Sequence, residues 1–329
     1  MRPVSLLLSA LSLLAVAAGS ASGASQGPKL QEVLISFDGA HDNAQWDRAL
    51  ALGRQTGARF TFFLSCTFLL TPDSKALYRA PQMGRAASNV GFGQTADEVR
   101  QRLTHILTAW REGHEIASHG CGHFDGKAWS QSDWEQEFDN FARILRDAWT
   151  INGFGPAPDG WSEMAAAVLG FRAPYLSTNA ALFAALKARG FRYDASTVGR
   201  DPEPAVEKDG LWQLPLPMIP EGPRGKRIIA MDYNWFARHS GAKEDAANAD
   251  AYEERAYRAM MGQFVRAHEA SRKPVQAGFH FTLMNDGAYW RALERFAREV
   301  CGKADVTCRP IGAHVAMRNA DSAIAELRY

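Results

Sequence analysis

Residues 114–123 read His-Glu-Ile-Ala-Ser-His-Gly-Cys-Gly-His, a short apolar run that ends in two histidines four positions apart. The apolar run predicts a strand, and the glycines after it allow the backbone to bend sharply between His119 and His123. Neutral imidazole is the commonest protein ligand of a divalent metal, and two rings on one tight turn can share an ion. The stretch therefore indicates a strand that leads into a candidate metal site. The alternative is that both are ordinary surface or core histidines.

A repeated pattern surrounds this stretch: three times, a helical segment is followed by a glycine and then by an apolar strand. Glycine just past a helix end suits a left-handed cap. The helices are predicted at residues 46–55, 98–111 and 180–189, the glycines are Gly57, Gly113 and Gly190, and the strands span residues 58–64, 114–118 and 191–193. Capping boxes at Thr95-x-x-Glu98 and Ser132-x-x-Glu135 mark two helix starts.

The order of helices and strands predicts the fold class. Further strands are predicted at residues 33–37, 168–172, 211–216, 275–281 and 305–310. Strands that alternate with helices along the whole chain predict a parallel-stranded α/β fold. No proline- or serine-rich linker interrupts residues 24–329, so we predict one domain there. Residues 72–94 and 221–251 look inserted, and we expect them to form long loops at the rim of the site.

The first residues predict export. Residues 1–23 combine a charged start, an apolar stretch and a small-residue exit, the layout of a secretory signal peptide, with an uncleaved anchor as the alternative. No later segment is long and apolar enough to predict a membrane span. The net charge of +1, with charges of both signs interspersed, gives no electrostatic basis for binding nucleic acid. We therefore expect a secreted or periplasmic protein.

The four cysteines agree with an oxidising compartment, where disulfides persist. Cys301 and Cys308, a short loop apart, are the better-placed pair. A pairing of Cys66 with Cys121 stays open. A cysteine zinc site is not expected, because the chain has no Cys-x-x-Cys motif.

Polar side chains follow four of the predicted strands at the point where each strand ends. Asp38, His119, Arg172 and His280 all occupy such positions, and His123 comes four residues after His119. In a parallel α/β barrel these positions converge on the carboxyl-terminal face, where active sites lie. One residue of this kind would be a turn residue or a cap, but four at equivalent places indicate a functional site.

The order of these motifs resembles the polysaccharide deacetylase (NodB-homology) family, carbohydrate esterase family 4, over residues 31–317. The matching motifs are, in chain order, Ser36-Phe37-Asp38-Gly39, Gly113 to His119 with His123, Arg172-Ala173-Pro174-Tyr175, Asp194 and His280. The middle of the chain, from His119 to Leu176, is similar to the chitin deacetylase-like branch in particular. The resemblance implies a single parallel-stranded distorted (β/α) barrel of the NodB-homology type.

The resemblance also implies an activity, the metal-dependent removal of N-acetyl groups from a glycan that contains N-acetylglucosamine. His119 and His123 match the family's zinc-binding pair, with Zn²⁺ or another divalent metal as the cofactor. Asp38 matches the general base that acts on water, and Arg172 matches the arginine that contacts this aspartate. A metal that polarises the acetyl carbonyl and a carboxylate that takes a proton form a coherent chemistry.

Three further residues have matches in the family. The backbone N–H of Tyr175 matches an oxyanion donor. His280 matches the general acid that protonates the leaving amine, and Asp194 is interpreted as the partner that tunes it. A turn at Asp194 and packing at Tyr175 are the structural alternatives.

The chain departs from the family pattern at Gly39, where the family normally carries a second aspartate that is the third protein ligand of the metal. Catalytic zinc usually has three protein ligands plus water, so two histidines alone are incomplete. Asp42 is a candidate replacement, and its alternative role is the N-cap of the helix that follows, with Asn43 as a rival. Asp38 itself is a further candidate ligand, and His41 is a weaker one.

Three hypotheses follow for the function. The first is an exported zinc-dependent N-deacetylase whose partner is an N-acetylated oligo- or polysaccharide, chitin-like or peptidoglycan. The second, motivated by Gly39, is a catalytically weak or inactive glycan-binding member of the same family. The third is a related metal amidase that acts on a non-polymeric amide. Asp38, Arg172 and His280 argue against a pure binding protein, which needs neither an acid nor a base.

Overall fold

A curled, mostly parallel sheet organises residues 30–201 and 205–326, the part of the chain that the computed structural model describes. The predicted signal peptide, residues 1–23, lies outside these residues. The strands are β1 (Gln31–Gly39), β2 (Thr61–Leu64), β3 (Glu115–Ser118), β4 (Gly170–Phe171), β5 (Tyr193–Asp194), β6 (Val198–Arg200), β7 (Val206–Lys208), β8 (Leu211–Gln213), β9 (Leu216–Glu221), β10 (Lys226–Ile229), β11 (Val275–His280) and β12 (Val306–Cys308). The main sheet has the order β11-β1-β2-β3-β4-β5-β8-β7, with β12 also paired to β1.

Helices connect the strands, as the alternating sequence pattern predicts. They are α1 (Asn43–Thr56), α2 (Ala96–Arg111), α3 (Gln131–Ile151), α4 (Trp161–Ala166), α5 (Ala180–Ala188), α6 (Asp232–Ser240), α7 (Ala249–Arg266), α8 (Ala288–Val300) and α9 (Ile311–Glu326). All pairs in the main sheet are parallel except β7 with β8. Eight of the nine residues of β1 are buried, including the polar residues Ser36 and Asp38, because both faces of this central strand are covered by other parts of the protein.

Aromatic side chains fill the space between β1 and the helices. Phe37 stacks on Phe62 of β2 and on Trp290 of α8, with ring centroids 5.3 Å and 5.1 Å away. Trp46 of α1 packs on the other side of Phe62 at 4.3 Å. Such large rings contribute much of the apolar area that folding removes from water, so this cluster fixes the central strands from which the site residues extend.

A second, smaller sheet has the order β10-β9-β6 and reaches the edge of the main sheet. The Gly278 amide of β11 donates a hydrogen bond to the Ala230 carbonyl just after β10, at 2.9 Å. The prediction of a single strand at residues 211–216 is wrong. These residues are divided between β8 in the main sheet and the start of β9 in the smaller sheet. Pro215 lies at the break, where its missing N–H cannot continue a ladder. Residues 221–251, predicted as a loop, contain β10 and α6.

One of the two predicted capping boxes is displaced. At the start of α2, Thr95 accepts from the Glu98 amide at 3.1 Å, as predicted. At the start of α3 the cap is Ser130, which accepts from the Asp133 amide while the Asp133 carboxylate accepts from the Ser130 amide. Ser132 lies inside the first turn of α3 and caps nothing. The prediction failed because Ser130 and Ser132 each have an acidic residue three positions further on, so the sequence offers two registers of the same motif.

Both disulfide pairings are present. Cys301 is joined to Cys308, and Cys66 is joined to Cys121. The second bond connects the segment after β2 to the turn after β3, which carries the two histidines of the candidate metal site. Within residues 30–201 and 205–326, none of the helices has the length and apolar character needed to cross a bilayer.

Candidate active site

The carboxyl ends of the parallel strands bring the predicted site residues together. Asp38 on β1 and His280 on β11 are direct neighbours in the register of the two strands. Both line a cavity of about 530 Å³ together with His119, His123 and Tyr175. The strand-end rule therefore predicted correctly that these side chains lie together, since the ends of neighbouring parallel strands open on the same face of the barrel.

A buried ion pair forms the floor of the site. Arg172 follows β4, and its Nη1 donates to Asp38 Oδ1 at 2.7 Å and to the Ser36 hydroxyl at 2.8 Å. Its Nε donates to the Ala195 carbonyl at 3.1 Å, and its guanidinium lies 4.3 Å from the centre of the Phe63 ring. Arg172 is 0% exposed and Asp38 is 3% exposed. The predicted contact between these two residues is confirmed.

The ion pair decides the protonation state of Asp38. Burial by itself would raise the pKa of this carboxyl, but the charges of Arg172, His119 and His280 together lower its pKa below the ordinary 3.8. Asp38 is therefore ionised at neutral pH. Its Oδ1 is held by Arg172, and within the described residues no hydrogen bond occupies Oδ2. The carboxylate thus keeps an oxygen that can accept a proton or contact a cation.

His280 is held from the side opposite Asp38 by a residue that the sequence analysis missed. Asp232, at the start of α6, accepts from the His280 backbone amide through Oδ2 and from its ring Nδ1 through Oδ1, both at 2.7 Å. The predicted pairing of His280 with Asp194 is wrong. The same strand-end rule would have found Asp232 had β10 been recognised, since this aspartate comes three residues after that strand.

The carboxylates around His280 favour its charged form. Burial alone would lower the pKa of the imidazole, and so would the charge of Arg172, but Asp232 and Asp38 together raise the pKa to about 9. Nδ1 carries the proton that is donated to Asp232, which leaves Nε2 as the second protonated nitrogen at neutral pH. The site therefore contains an ionised carboxylate and a protonated imidazole on adjacent strands.

Asp194 is bound to Ser196 and not to His280. Its carboxylate accepts from the Ser196 amide at 3.2 Å and from the Ser196 hydroxyl at 2.5 Å. That hydroxyl accepts in turn from the Ala173 amide at 2.7 Å. Burial raises the pKa of Asp194 to about 6, although its hydrogen bonds and Arg172 lower it. Asp194 thus supports the turn that leads to Tyr175 and does not contact His280.

His119 has the tautomer that a metal ligand needs. Its Nδ1 lies 2.7 Å from the Arg172 carbonyl oxygen, which can only accept, so Nδ1 is the protonated nitrogen and the lone pair is on Nε2. Burial lowers the pKa of His119 to about 3, so the ring stays neutral. A ring whose N–H is fixed on a backbone carbonyl is the usual arrangement for a metal-binding histidine.

His123 completes an imidazole pair. The two rings are inclined at 61° with their centroids 5.1 Å apart, and His123 has a left-handed backbone, with φ of 55°. Burial and the charge of His280 lower the pKa of His123, so this ring is also neutral. The donor set therefore fits a divalent ion that is bound through two neutral imidazoles.

A third protein ligand is missing from this pair. Among the described residues, no three histidine, cysteine, aspartate or glutamate side chains form a group that could hold a metal ion. Gly39 has φ of 82°, a left-handed conformation in which an aspartate would be strained. Position 39 therefore offers no side chain that could act as a ligand. The residues fit a two-histidine site and do not fit a closed three-ligand zinc site.

Asp42 does not replace the missing ligand, contrary to one interpretation of the sequence. It is the N-cap of α1, and its Oδ1 accepts from the Gln45 amide at 2.9 Å. This contact satisfies one of the free amide groups of the first helical turn. His41, the weaker candidate, stacks on Phe68 at 4.9 Å and lines a smaller part of the site, of about 190 Å³.

Tyr175 lies at the rim in a strained turn. Tyr175 and Leu176 have φ of 57° and 55°, and left-handed conformations in non-glycine residues cluster at functional sites. The amides of Leu176 and Ser177 donate the hydrogen bonds that close this turn, so the Tyr175 amide takes no part in them. The Tyr175 ring is 60% exposed and meets the His123 ring at 4.8 Å.

The two stretches that look inserted in the sequence form opposite parts of the rim. Val90 lines the cavity from the first stretch, and the Asn89 side chain donates to the His123 carbonyl at 3.0 Å. Met231, Tyr233 and Asn234 line it from the second stretch. The predicted positions of these segments are confirmed, although the second is a strand and a helix.

The same fold occurs in known hydrolases. No protein-family model matches the chain, and no curated protein sequence matches it. A putative polysaccharide deacetylase from Mycobacterium smegmatis superposes with a TM-score of 0.56 at 17% identity, over 91% of this chain and 93% of that one. A probable polysaccharide deacetylase from Pseudomonas aeruginosa PAO1 gives 0.53 at 14% identity, over 89% and 95%. Puue allantoinase gives 0.52 at 15% identity, over 91% and 96%.

These similarities establish the fold. The chain is a distorted (β/α) barrel of the NodB-homology type, as the sequence resemblance predicts. The structural neighbours include polysaccharide deacetylases, which agrees with the family suggested by the motifs. The chitin deacetylase-like branch stays a prediction.

The capping role of Asp42 can be tested by comparison with a second cap. Asp42→Ala and Thr95→Ala should each lower the free energy of unfolding by about 1 kcal/mol, because each leaves a helix amide without its acceptor. Urea unfolding measures this loss. Zinc affinity, measured by calorimetry, should equal that of the unchanged protein in both variants. A selective loss of zinc binding in Asp42→Ala would instead restore Asp42 as a ligand.

The charge on His280 can be tested by proton NMR titration of the protein without metal. Its pKa should be about 9. In Asp232→Asn the pKa should fall by more than about one unit, towards the ordinary 6.5, because a neutral amide no longer stabilises the imidazolium. In this variant His280 should therefore lose its proton at a lower pH than in the unchanged protein. A pKa near 6.5 in the unchanged protein would contradict the electrostatic role of Asp232.

Proposed function

We propose that this chain is an exported N-deacetylase that releases acetate from a glycan containing N-acetylglucosamine. The observation that supports it best is the pairing of Asp38 and His280, two titratable groups on adjacent strands whose pKa values are pushed apart. One is an ionised carboxylate and the other a protonated imidazole at the same pH, the arrangement that general base and general acid catalysis requires. Both line one cavity.

In the proposed reaction Asp38 is the base. It accepts a proton from water as the water oxygen forms a bond to the acetyl carbonyl carbon. Arg172 keeps Asp38 ionised and fixes its orientation through Oδ1, so that Oδ2 is the accepting atom. Because the pKa of Asp38 is below 3.8, the base is available throughout the neutral range.

His280 is the proposed acid. As the bond between the carbonyl carbon and nitrogen breaks, the imidazolium gives its Nε2 proton to the nitrogen of the leaving amine. The products are acetate and the free amine of the sugar. Asp232 holds the ring through Nδ1, which orients Nε2 and preserves its proton up to about pH 9.

His119 and His123 would hold a divalent ion, Zn²⁺ or a similar metal, which when bound supplies polarisation of the acetyl carbonyl. The Tyr175 amide, which is not used in the hydrogen bonds that close its turn, is the proposed donor to the oxygen of the developing oxyanion. With only two imidazoles from the protein, we expect this ion to be bound less tightly than in a three-ligand site.

The proposed substrate class follows from the motif resemblance. The aromatic rings of Tyr175 and Tyr233, 60% and 53% exposed, line the cavity and agree with a sugar ring as the ligand. A chitin-like oligomer and peptidoglycan are both N-acetylated glycans that this proposal admits. Export is supported by the predicted signal peptide and by two disulfides, which persist in oxidising compartments.

A second candidate function is a glycan-binding protein with weak or no activity. The specific observation that favours it is the left-handed glycine at position 39, together with the lack of a three-ligand group among the described residues. The acid and base favour the enzyme. The two functions differ in whether acetate appears.

Acetate release distinguishes these functions. The protein, loaded with Zn²⁺ or Co²⁺, should release acetate from chitin oligomers or from peptidoglycan, and chelation followed by dialysis should remove the activity. Enzymatic quantification of acetate is the measurement. Binding of these glycans without acetate release under any metal would support the binding protein instead.

Removal of the base or the acid should abolish turnover without unfolding the protein. Asp38→Asn and His280→Ala should each lower kcat by about 10²-fold to 10⁴-fold, because each removes one proton-transfer group. His314→Ala is a matched control, since His314 of α9 contacts Glu32 of β1 at 2.8 Å in a similar imidazole–carboxylate pair outside the site. If His280→Ala kept full turnover across neutral pH, its role as the acid would be excluded.

A further inference from the structure

A buried carboxylate lies against the turn that carries His119 and His123. Glu137 belongs to α3 and is 2% exposed. Its Oε1 accepts from the Cys121 amide, midway between the two histidines, at 2.7 Å. The Tyr78 hydroxyl donates to its Oε2 at 2.9 Å and accepts from the Gly122 amide at 3.1 Å. Glu137 therefore holds two successive amides of the turn, one directly and one through Tyr78.

The other backbone groups of the turn are held by neighbouring loops. The Leu64 carbonyl accepts from His119, the Cys66 amide and the Thr67 hydroxyl donate to Gly120 and Cys121, and Asn89 donates to Gly122 and His123. The hydrogen bond of the Glu137 carboxylate differs from these contacts because it comes from a long α-helix, α3. Because α3 packs in the core, this contact ties the turn to a rigid element.

The local sequence allows the carboxylate to approach closely. Gly120 has φ of 68°, and a Cβ atom at this position would lie 3.2 Å from Glu137 Oε1. A larger residue would be both strained and crowded here. Glycine at position 120 thus serves the approach of Glu137 as well as the bend of the chain.

The cost of this arrangement argues for a role beyond stability. Glu137 takes part in none of the ion pairs formed among residues 30–201 and 205–326, so no cation balances its charge. Burial accordingly raises its pKa to about 7, while the donors at Cys121, Tyr78 and Gly122 lower it. An apolar or amide side chain would avoid the desolvation of a buried carboxylate. A carboxylate has two oxygens that both accept hydrogen bonds, so Glu137 can bind the Cys121 amide and the Tyr78 hydroxyl at the same time and thereby fix the turn.

We infer that Glu137 is a positioning residue that sets the relative placement of the His119 and His123 imidazoles by holding the Cys121 amide and the Tyr78 hydroxyl. The inference rests on the proposed role of these histidines as the metal pair. A two-histidine site has no third protein ligand to correct its geometry, so it depends strongly on the backbone between the histidines. Residues that orient metal ligands in this way typically change metal affinity by about 10-fold to 100-fold when they are replaced.

The test compares Glu137 with Glu115 at pH 8, above the pKa of Glu137. Glu137→Leu should weaken Co²⁺ binding about 10-fold or more, measured by calorimetry, and should change the visible spectrum of bound Co²⁺. Glu137→Gln should bind Co²⁺ more tightly than Glu137→Leu, since its amide oxygen can still accept from Cys121. Tyr78→Phe should give an intermediate loss. With an active protein, Glu137→Leu should lower kcat more than it raises KM.

Glu115→Leu and Glu115→Gln are the matched controls. Glu115, at the start of β3 and away from the cavity, is half-buried, its pKa is also raised by burial, and it accepts from Tyr193, Thr61 and the Gly312 amide of α9. These variants should lose stability in urea while keeping the Co²⁺ affinity. If the Glu137 and Glu115 variants lose stability alike and all keep the affinity and spectrum of the unchanged protein, Glu137 is only a structural residue.

A second measurement decides the inference even if the unchanged protein binds no metal. Proton–nitrogen NMR spectra of the histidine side chains should show shifted His119 and His123 resonances in Glu137→Leu and unshifted ones in Glu115→Leu. Resonances of His314, on α9, should be unshifted in Glu137→Leu. Failure of metal binding and of acetate release would contradict the proposed function, whereas unshifted His119 and His123 signals would contradict the positioning role.

Discussion

The buried ion pair between Arg172 and Asp38 is the interaction on which the site depends. Both side chains are withdrawn from water, so the loss of either partner would leave an uncompensated charge in the interior, at a cost of about 3–5 kcal/mol. The pair spans the inside of the barrel, because β1 and the end of β4 are separated by two strands in the sheet. The curl of the sheet and the chemistry of Asp38 are therefore constrained by one contact.

The charges of Asp38 and His280 stabilise each other. His280 is one of the charges that lower the pKa of Asp38, and Asp38 is one of the carboxylates that raise the pKa of His280. Parallel pairing of β1 with β11 places the two residues side by side. Asp232 then adds a second negative charge from α6, behind the imidazole. The electrostatic arrangement thus depends on where β1 and β11 end and where α6 begins.

The candidate metal site combines a fixed turn with an incomplete ligand set. The turn from His119 to His123 has nearly all its backbone groups in hydrogen bonds, and a disulfide at Cys121 links it to the segment after β2. Across the site, the left-handed backbone at Gly39 leaves no side chain where the family pattern has an aspartate. The imidazole pair is therefore well ordered, and what completes the coordination of an ion must come from Asp38, water or substrate.

The barrel and most residues of the candidate site could be predicted from local sequence patterns. Apolar runs, helix caps and the strand-end rule located Asp38, His119 and His280, because strand ends in a parallel fold share one face. Asp232 was missed because it follows β10, a short strand with exposed residues and no clear apolar pattern, and Glu137 looked like any polar residue of an amphipathic helix. The contacts of Asp232 and Glu137 became apparent only in the folded protein. A hydrogen bond between residues 48 positions apart, such as that of Asp232 with His280, depends on how the elements pack, which local patterns do not encode.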